Sequence, residues 1–167
     1  FISRFINTKE AKEDTVRQMR ELIMQNYNHP SICFWGISNE ITMGEESDEL
    51  VENQRILQKL CHKLDPSRKT VLANLTTVES QSEQNKITDL SAYNVYMGWY
   101  AGKVEDCGAW MDSLHKENSD MCMGISEYGA DTNVQYHSDA PKRQDYTEEY
   151  QSYYHEKMLQ AIQERPY

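Results

Sequence analysis

Two glutamates stand just past short apolar runs, in Ser38-Asn39-Glu40 after SICFWGIS and in Ser126-Glu127-Tyr128-Gly129 after MCMGIS. A carboxylate where a buried strand emerges is poorly solvated and close to other strand ends, so its neighbours decide whether it carries a proton. Taken singly, a glutamate after a strand more often caps the next helix or faces water. Two of them at the ends of two strands of one sheet point elsewhere, because an acid and a base flanking one bond can hydrolyse an acetal between sugars. Asn39, Asn94, Tyr96 and Trp99 fall beside them and offer the hydrogen bonds and stacking surface that a sugar ring uses.

Other chemistries find less support. Cys33, Cys61, Cys107 and Cys122 are scattered without a Cys-x-x-Cys pair, and His29, His62, His115, His137 and His155 make no cluster at zinc spacing, so neither a metal site nor a cofactor is expected. No Gly-x-Gly-x-x-Gly or P-loop follows any strand, which weakens a nucleotide-binding sheet. Seventeen Lys and Arg against 27 Asp and Glu give a net charge of −10. A phosphate backbone or an anionic lipid surface would repel such a chain, so no nucleic-acid or membrane partner is expected. No apolar run approaches the roughly 20 residues of a membrane span. With no disulfide framework either, the expectation is a soluble chain in a reducing compartment, the cytoplasm.

The elements that must position these residues follow from periodicity. Residues 8–27 carry Val16, Met19, Ile23 and Tyr27 three or four apart, an amphipathic helix that His29-Pro30 stops. Residues 31–38 form a nearly continuous apolar run, the pattern of a strand buried on both faces of a parallel sheet. A helix over 47–64 follows, ended by Asp65-Pro66. Residues 70–75, 90–96 and 121–126 read as further strands; a helical repeat from Val104 to Leu114 and a last helix over 147–164 complete the order. Such alternation forces parallel strands with right-handed crossovers. A length of 167 residues is one domain's worth, but a complete (β/α)8 barrel needs about 250. Four such units make half a barrel.

The motifs at the strand ends carry a resemblance. NHPSICFWGISNE, residues 28–40, resembles the acid/base signature of glycoside hydrolase family 2, where Asn-Glu closes the fourth barrel strand. ISEYGAD, residues 125–131, resembles that family's nucleophile signature on the seventh strand, and YNVYMGWY, residues 93–100, its sixth-strand segment. The likeness spans the whole chain and implies a partial (β/α)8 TIM barrel, about strands four to seven, as a fragment of a catalytic domain. It further implies that Glu40 is the general acid and then base, Glu127 the nucleophile, Asn39 a partner of the sugar 2-hydroxyl and Tyr96 a partner of Glu127. Asn94 and Trp99 would line the pocket, and Trp35, in mid-strand, would belong to the barrel core. Ile41-Thr42-Met43 and residues 141–151 look most like bacterial β-galactosidases, which implies a terminal β-galactoside or related oligosaccharide as substrate. A retaining enzyme of this kind places its two carboxyl groups about 5 to 5.5 Å apart.

A second reading is a non-catalytic carbohydrate-binding or scaffold piece, since aromatic-lined strand ends hold sugars without acid/base machinery. β-Glucuronidase and β-mannosidase activities of the same family are further alternatives. Strands lacking their barrel neighbours would expose unpaired backbone and an open face, so self-association with weak or absent activity is expected of the isolated chain.

Overall fold

The computed structural model describes residues 8–41 and 46–167. Helix α1 (Lys9–Asn26) starts at Thr8, whose hydroxyl accepts from the Ala11 amide at 3.1 Å. Ser47 and Thr147 cap α2 (Asp48–Leu64) and α4 (Glu148–Gln163) in the same way, each followed by two acidic residues that suit the positive end of the helix dipole. A short 3-10 turn at Val104–Asp106 leads into α3 (Cys107–Glu117). The strands are β1 (Phe34–Asn39), β2 (Lys69–Leu75), β3 (Leu90–Val95) and β4 (Met123–Tyr128), parallel in one sheet in the order β1-β2-β3-β4. Sequential parallel strands with helical crossovers are what a stretch of (β/α)8 barrel requires.

The chain divides into two compact units, one running to Tyr93 with residues 120–124, the other comprising 94–119 and 125–167. In the first, Met19 and Ile23 of α1 and Leu57 and Cys61 of α2 pack on Trp35, Ile37 and Leu72 of the sheet. The run 31–38 therefore differs from the expectation of burial on both faces: Trp35 and Ile37 are buried, whereas Phe34 is 46% exposed and Gly36 is exposed too. The pleat sends alternate side chains to opposite faces, and among the described residues it is the helix-facing set that is buried. Trp35 consequently belongs to the layer between sheet and helices rather than to a barrel lumen.

Trp35 Nε1 donates to the fully buried Asp65 at 2.9 Å, and Arg68 donates to the same carboxylate at 2.6 Å. Arg68 also donates to the carbonyls of Tyr27, His29 and Ile32, and its guanidinium lies over the rings of Tyr27 and Trp35. Burial pushes the Asp65 carboxyl up, but donors from Ser67, Arg68 and Trp35 outweigh it and hold the group well below the usual carboxylate range. The clamp fixes the segment that feeds into β1. At the start of β2, Asp89 accepts from the Thr70 amide and hydroxyl, both at 2.8 Å, and pairs with Lys69 and His62. These contacts overcome the cost of partial burial and bring its carboxyl down to about 2.

The second unit is organised by tyrosines of α4. Tyr154, fully buried with Met158, donates to the carbonyl of Val95 at 3.1 Å, and Tyr150 donates to that of Gly98. Arg165, just past α4, forks onto Asp112 of α3 at 2.9 and 2.8 Å, and Tyr167 stacks on His115 with ring centroids 4.0 Å apart. All four cysteines are free; burial pushes the thiols of Cys61 and Cys107 up to about 11, which leaves them protonated and unreactive at neutral pH.

Candidate active site

Asn39 and Glu40 are aimed by an irregularity in β1. Pairing with β2 runs Trp35 to Thr70 and Gly36 to Val71, then skips Ile37 and resumes with Ser38 to Leu72 and Asn39 to Ala73. Ile37 is the extra residue of a β-bulge. Partners across a sheet share a face, so Ser38 shares with Leu72 the face covered by helices, and its hydroxyl accepts from the buried Gln54 of α2 at 3.3 Å. Asn39, pairing with Ala73, turns to the opposite face. Without the extra residue both would be reversed, since a one-residue slip exchanges faces.

Glu40 makes the last rung, its amide donating to the Ala73 carbonyl at 2.9 Å, and then turns sharply with φ +50°. A residue with a Cβ adopts this left-handed conformation only where its surroundings enforce it, and such positions gather at functional sites.

In the second unit, Tyr96 and Glu127 meet: the phenol donates to Glu127 Oε2 at 2.9 Å. Beside them the hydroxyl of Ser126 donates to Asn94 Oδ1 at 2.6 Å. Asn94 is only 2% exposed, so its visible role is to tie the ends of β3 and β4 together. Trp99 is buried as well, edge-on to Tyr146 at 5.2 Å, and forms a wall of the turn that follows β3. That turn needs glycine at 98. Its φ is +86°, and a Cβ there would lie 2.6 Å from the Val104 amide nitrogen. Tyr150 ties the same turn from α4, and Tyr96 emerges at its first position.

The six candidate residues thus fall into two groups, Asn39 and Glu40 in the first unit and Asn94, Tyr96, Trp99 and Glu127 in the second. Sequence reasoning passed over the supports: Gln54, Gln84 and Glu46 behind Ser38, and the hydroxyls of Tyr150 and Tyr154. A signal was available in both cases. Gln54 sits four residues after Leu50 and three before Leu57, on the buried stripe of α2. Tyrosines on the apolar stripe of α4 carry hydroxyls that need partners once buried. The Thr42-Met43 part of the motif after Glu40 lies outside the described residues.

Comparison with known proteins gives these strand ends a family. The model of "Glycosyl hydrolases family 2, TIM barrel domain" matches residues 2–166. A β-glucuronidase of Bacteroides fragilis is 36% identical over 168 residues, covering 98% of this chain and 23% of the relative. The crystal structure of an FMN-binding β-glucuronidase from Facaelibacterium prausnitzii L2-6 superposes with a TM-score of 0.92 at 51% identity, over 96% of this chain and 25% of that one. The expected likeness to β-galactosidases has a counterpart as well, the crystal structure of a "putative beta-galactosidase" from Bacteroides fragilis, with a TM-score of 0.83 at 31% identity over 93% of this chain and 24% of that one. The chain spans about a quarter of the length of the glucuronidases it matches. With the model matching almost from end to end, the chain belongs to glycosyl hydrolases family 2, as part of its TIM barrel domain.

Proposed function

We propose that the full-length protein is a retaining β-glycosidase that acts on β-glucuronides, with Glu127 as nucleophile and Glu40 as acid/base. One observation carries the reading: Glu127 closes a strand of a family 2 barrel with the Tyr96 phenol on its carboxylate. A donor on one oxygen keeps the carboxylate in a fixed rotamer, so that the other oxygen attacks the anomeric carbon from a set direction. Glu40 gives its proton to the glycosidic oxygen as that bond breaks, leaving a glycosyl ester on Glu127. The same residue, now ionised, takes a proton from water, which attacks the anomeric carbon and releases the sugar with its original configuration. Asn39, adjacent to Glu40, is assigned to the sugar 2-hydroxyl.

The glucuronide preference rests on the names of the relatives that align across nearly the whole chain. It is tested by comparing nitrophenyl β-glucuronide with nitrophenyl β-galactoside, and by following the first-formed sugar by NMR. The expected result is β-configured glucuronate and a kcat/KM at least about 100-fold above that for the galactoside, the discrimination a site built for an extra polar group delivers. Preference for the galactoside would return the substrate to the alternative that the likeness to the Bacteroides fragilis structure favours. An α-configured first product would remove the retaining mechanism.

A further inference from the structure

Behind Ser38 runs a chain of buried amides that none of the chemistry above uses. Gln54, 1% exposed on α2, donates through Nε2 both to Ser38 Oγ at 3.3 Å and to Gln84 Oε1 at 3.2 Å. Gln84, equally buried, donates onward to Glu46 Oε2 at 2.9 Å, and the Ser82 hydroxyl donates to the same oxygen. The direction of this chain is set at its far end. A carboxylate only accepts, so Gln84 must show it the NH2 group and turn its carbonyl back to Gln54, which then shows its own NH2 to Gln84 and Ser38. The arrangement has a cost: Gln54 Oε1 is buried with no hydrogen-bond partner among the described residues. An unsatisfied buried acceptor costs about 1 to 3 kcal/mol, and a leucine at this place on the apolar stripe would avoid that cost altogether.

We propose that Gln54 is a positioning residue for the acid/base glutamate, acting through Ser38 to hold the bulged end of β1. The inference rests on the reading of Glu40 as acid/base. Ser38 lies on the helix face only because Ile37 is an extra residue, and Gln54 is the group that grips it there. Released, β1 can slip back to regular pairing, which would send Ser38 to the other face and carry Asn39 and Glu40 out of their present orientation. Gln54 touches neither substrate nor the reacting atoms. The part of its effect that passes through Asn39 falls on every substrate alike, whereas the part that passes through Glu40 grows as the leaving group worsens.

Proton delivery has its own kinetic signature, because a good leaving group needs little protonation and a poor one needs it fully. The test compares full-length protein carrying Gln54→Leu, the milder Ser38→Ala, and both together. Each is assayed on aryl β-glycosides of the sugar it hydrolyses, from dinitrophenyl to plain phenyl, with Glu40→Gln as reference. Gln54→Leu and Ser38→Ala should each lose about tenfold more in kcat/KM on the phenyl glycoside than on the dinitrophenyl one, as expected for a small misplacement of the group that protonates the leaving oxygen. The double variant should be no worse than Gln54→Leu, since both act on one contact. Equal loss across the series, an unchanged leaving-group slope, or additive losses would overturn the proposal. If Gln54→Leu fails to fold, Ser38→Ala alone decides by the same slope. A Glu40→Gln variant without steepened slope would remove the acid/base reading and this inference with it, whereas steepening there but in neither support variant removes the inference alone.

Discussion

At the scale of single residues, Glu40 and Glu127 are prepared by different means. Glu127 is held through its side chain by the Tyr96 phenol, whereas Glu40 is held through its backbone, by a rung to Ala73 and a left-handed turn. The roles proposed for the two yield separable kinetics in the full-length protein. Glu127→Ala should abolish turnover by deleting the proposed nucleophile; Glu40→Ala should depress substrates with poor leaving groups far more than activated aryl glycosides. Parallel losses across a leaving-group series, or wild-type turnover in Glu127→Ala, would contradict these roles. Tyr96→Phe removes the hydrogen bond that holds the Glu127 carboxylate and should lower kcat/KM by about tenfold to a hundredfold, the loss expected when a reacting group is no longer fixed in position.

At the scale of elements, the turn after β3 and the contact at the start of β2 make further expectations. Gly98→Ala forces a Cβ against Val104 and strains a positive φ, so it should destabilise the protein by about 2 kcal/mol or more in thermal unfolding. Asp89 has a carboxyl near 2 in the folded protein against an ordinary value of 3.8. The unfolded chain therefore binds the proton first, so the contribution of this group is complete above about pH 4 and lost as the pH falls toward 2. Asp89→Asn should flatten the acid limb of stability in that window, measured by denaturant midpoints at successive pH values. An acid limb unchanged by the substitution would show that the Thr70 and Lys69 contacts do not stabilise the carboxylate.

The elements themselves were legible because their signals are local. Met19 and Ile23 mark α1 by spacing, Ser47 and Thr147 sit where the helices begin, and Glu40 and Glu127 end strands whose apolar runs are continuous. What lies outside local reach is the register. Nothing in SICFWGIS says that Ile37 is an extra residue, since a bulge exists only relative to the strand it pairs with. Phe34 is exposed for a related reason: an apolar run records what a strand can bury, and whether a partner covers it depends on elements distant in the sequence. Tyr96 could be placed beside Glu127 only through the family resemblance, because the two are 31 residues apart and meet through strand order.

At the scale of the whole molecule, β1 forms an edge of the sheet and shows Phe34 and Gly36 on one face, while Leu22 and Met24 of α1 are 43% and 64% exposed. Covering several hundred Å² of such surface returns roughly 25 cal/mol per Å² of apolar area. Expressed alone, the 167 residues should therefore self-associate in light scattering and hydrolyse glycosides weakly or not at all. A stable monomer at high concentration, or robust turnover by the isolated chain, would contradict this.

The central claim, that a covalent glycosyl ester forms on Glu127, is open to direct measurement. Full-length protein treated with an activated 2-deoxy-2-fluoro glycoside of its preferred sugar should accumulate the trapped intermediate, because the fluorine slows both formation and hydrolysis of the ester while the good leaving group keeps formation the faster of the two. Digestion and mass spectrometry should then find the sugar on the peptide that contains Glu127, and no label in Glu127→Ala. A label on another carboxylate, or undiminished turnover with no adduct, would contradict the account.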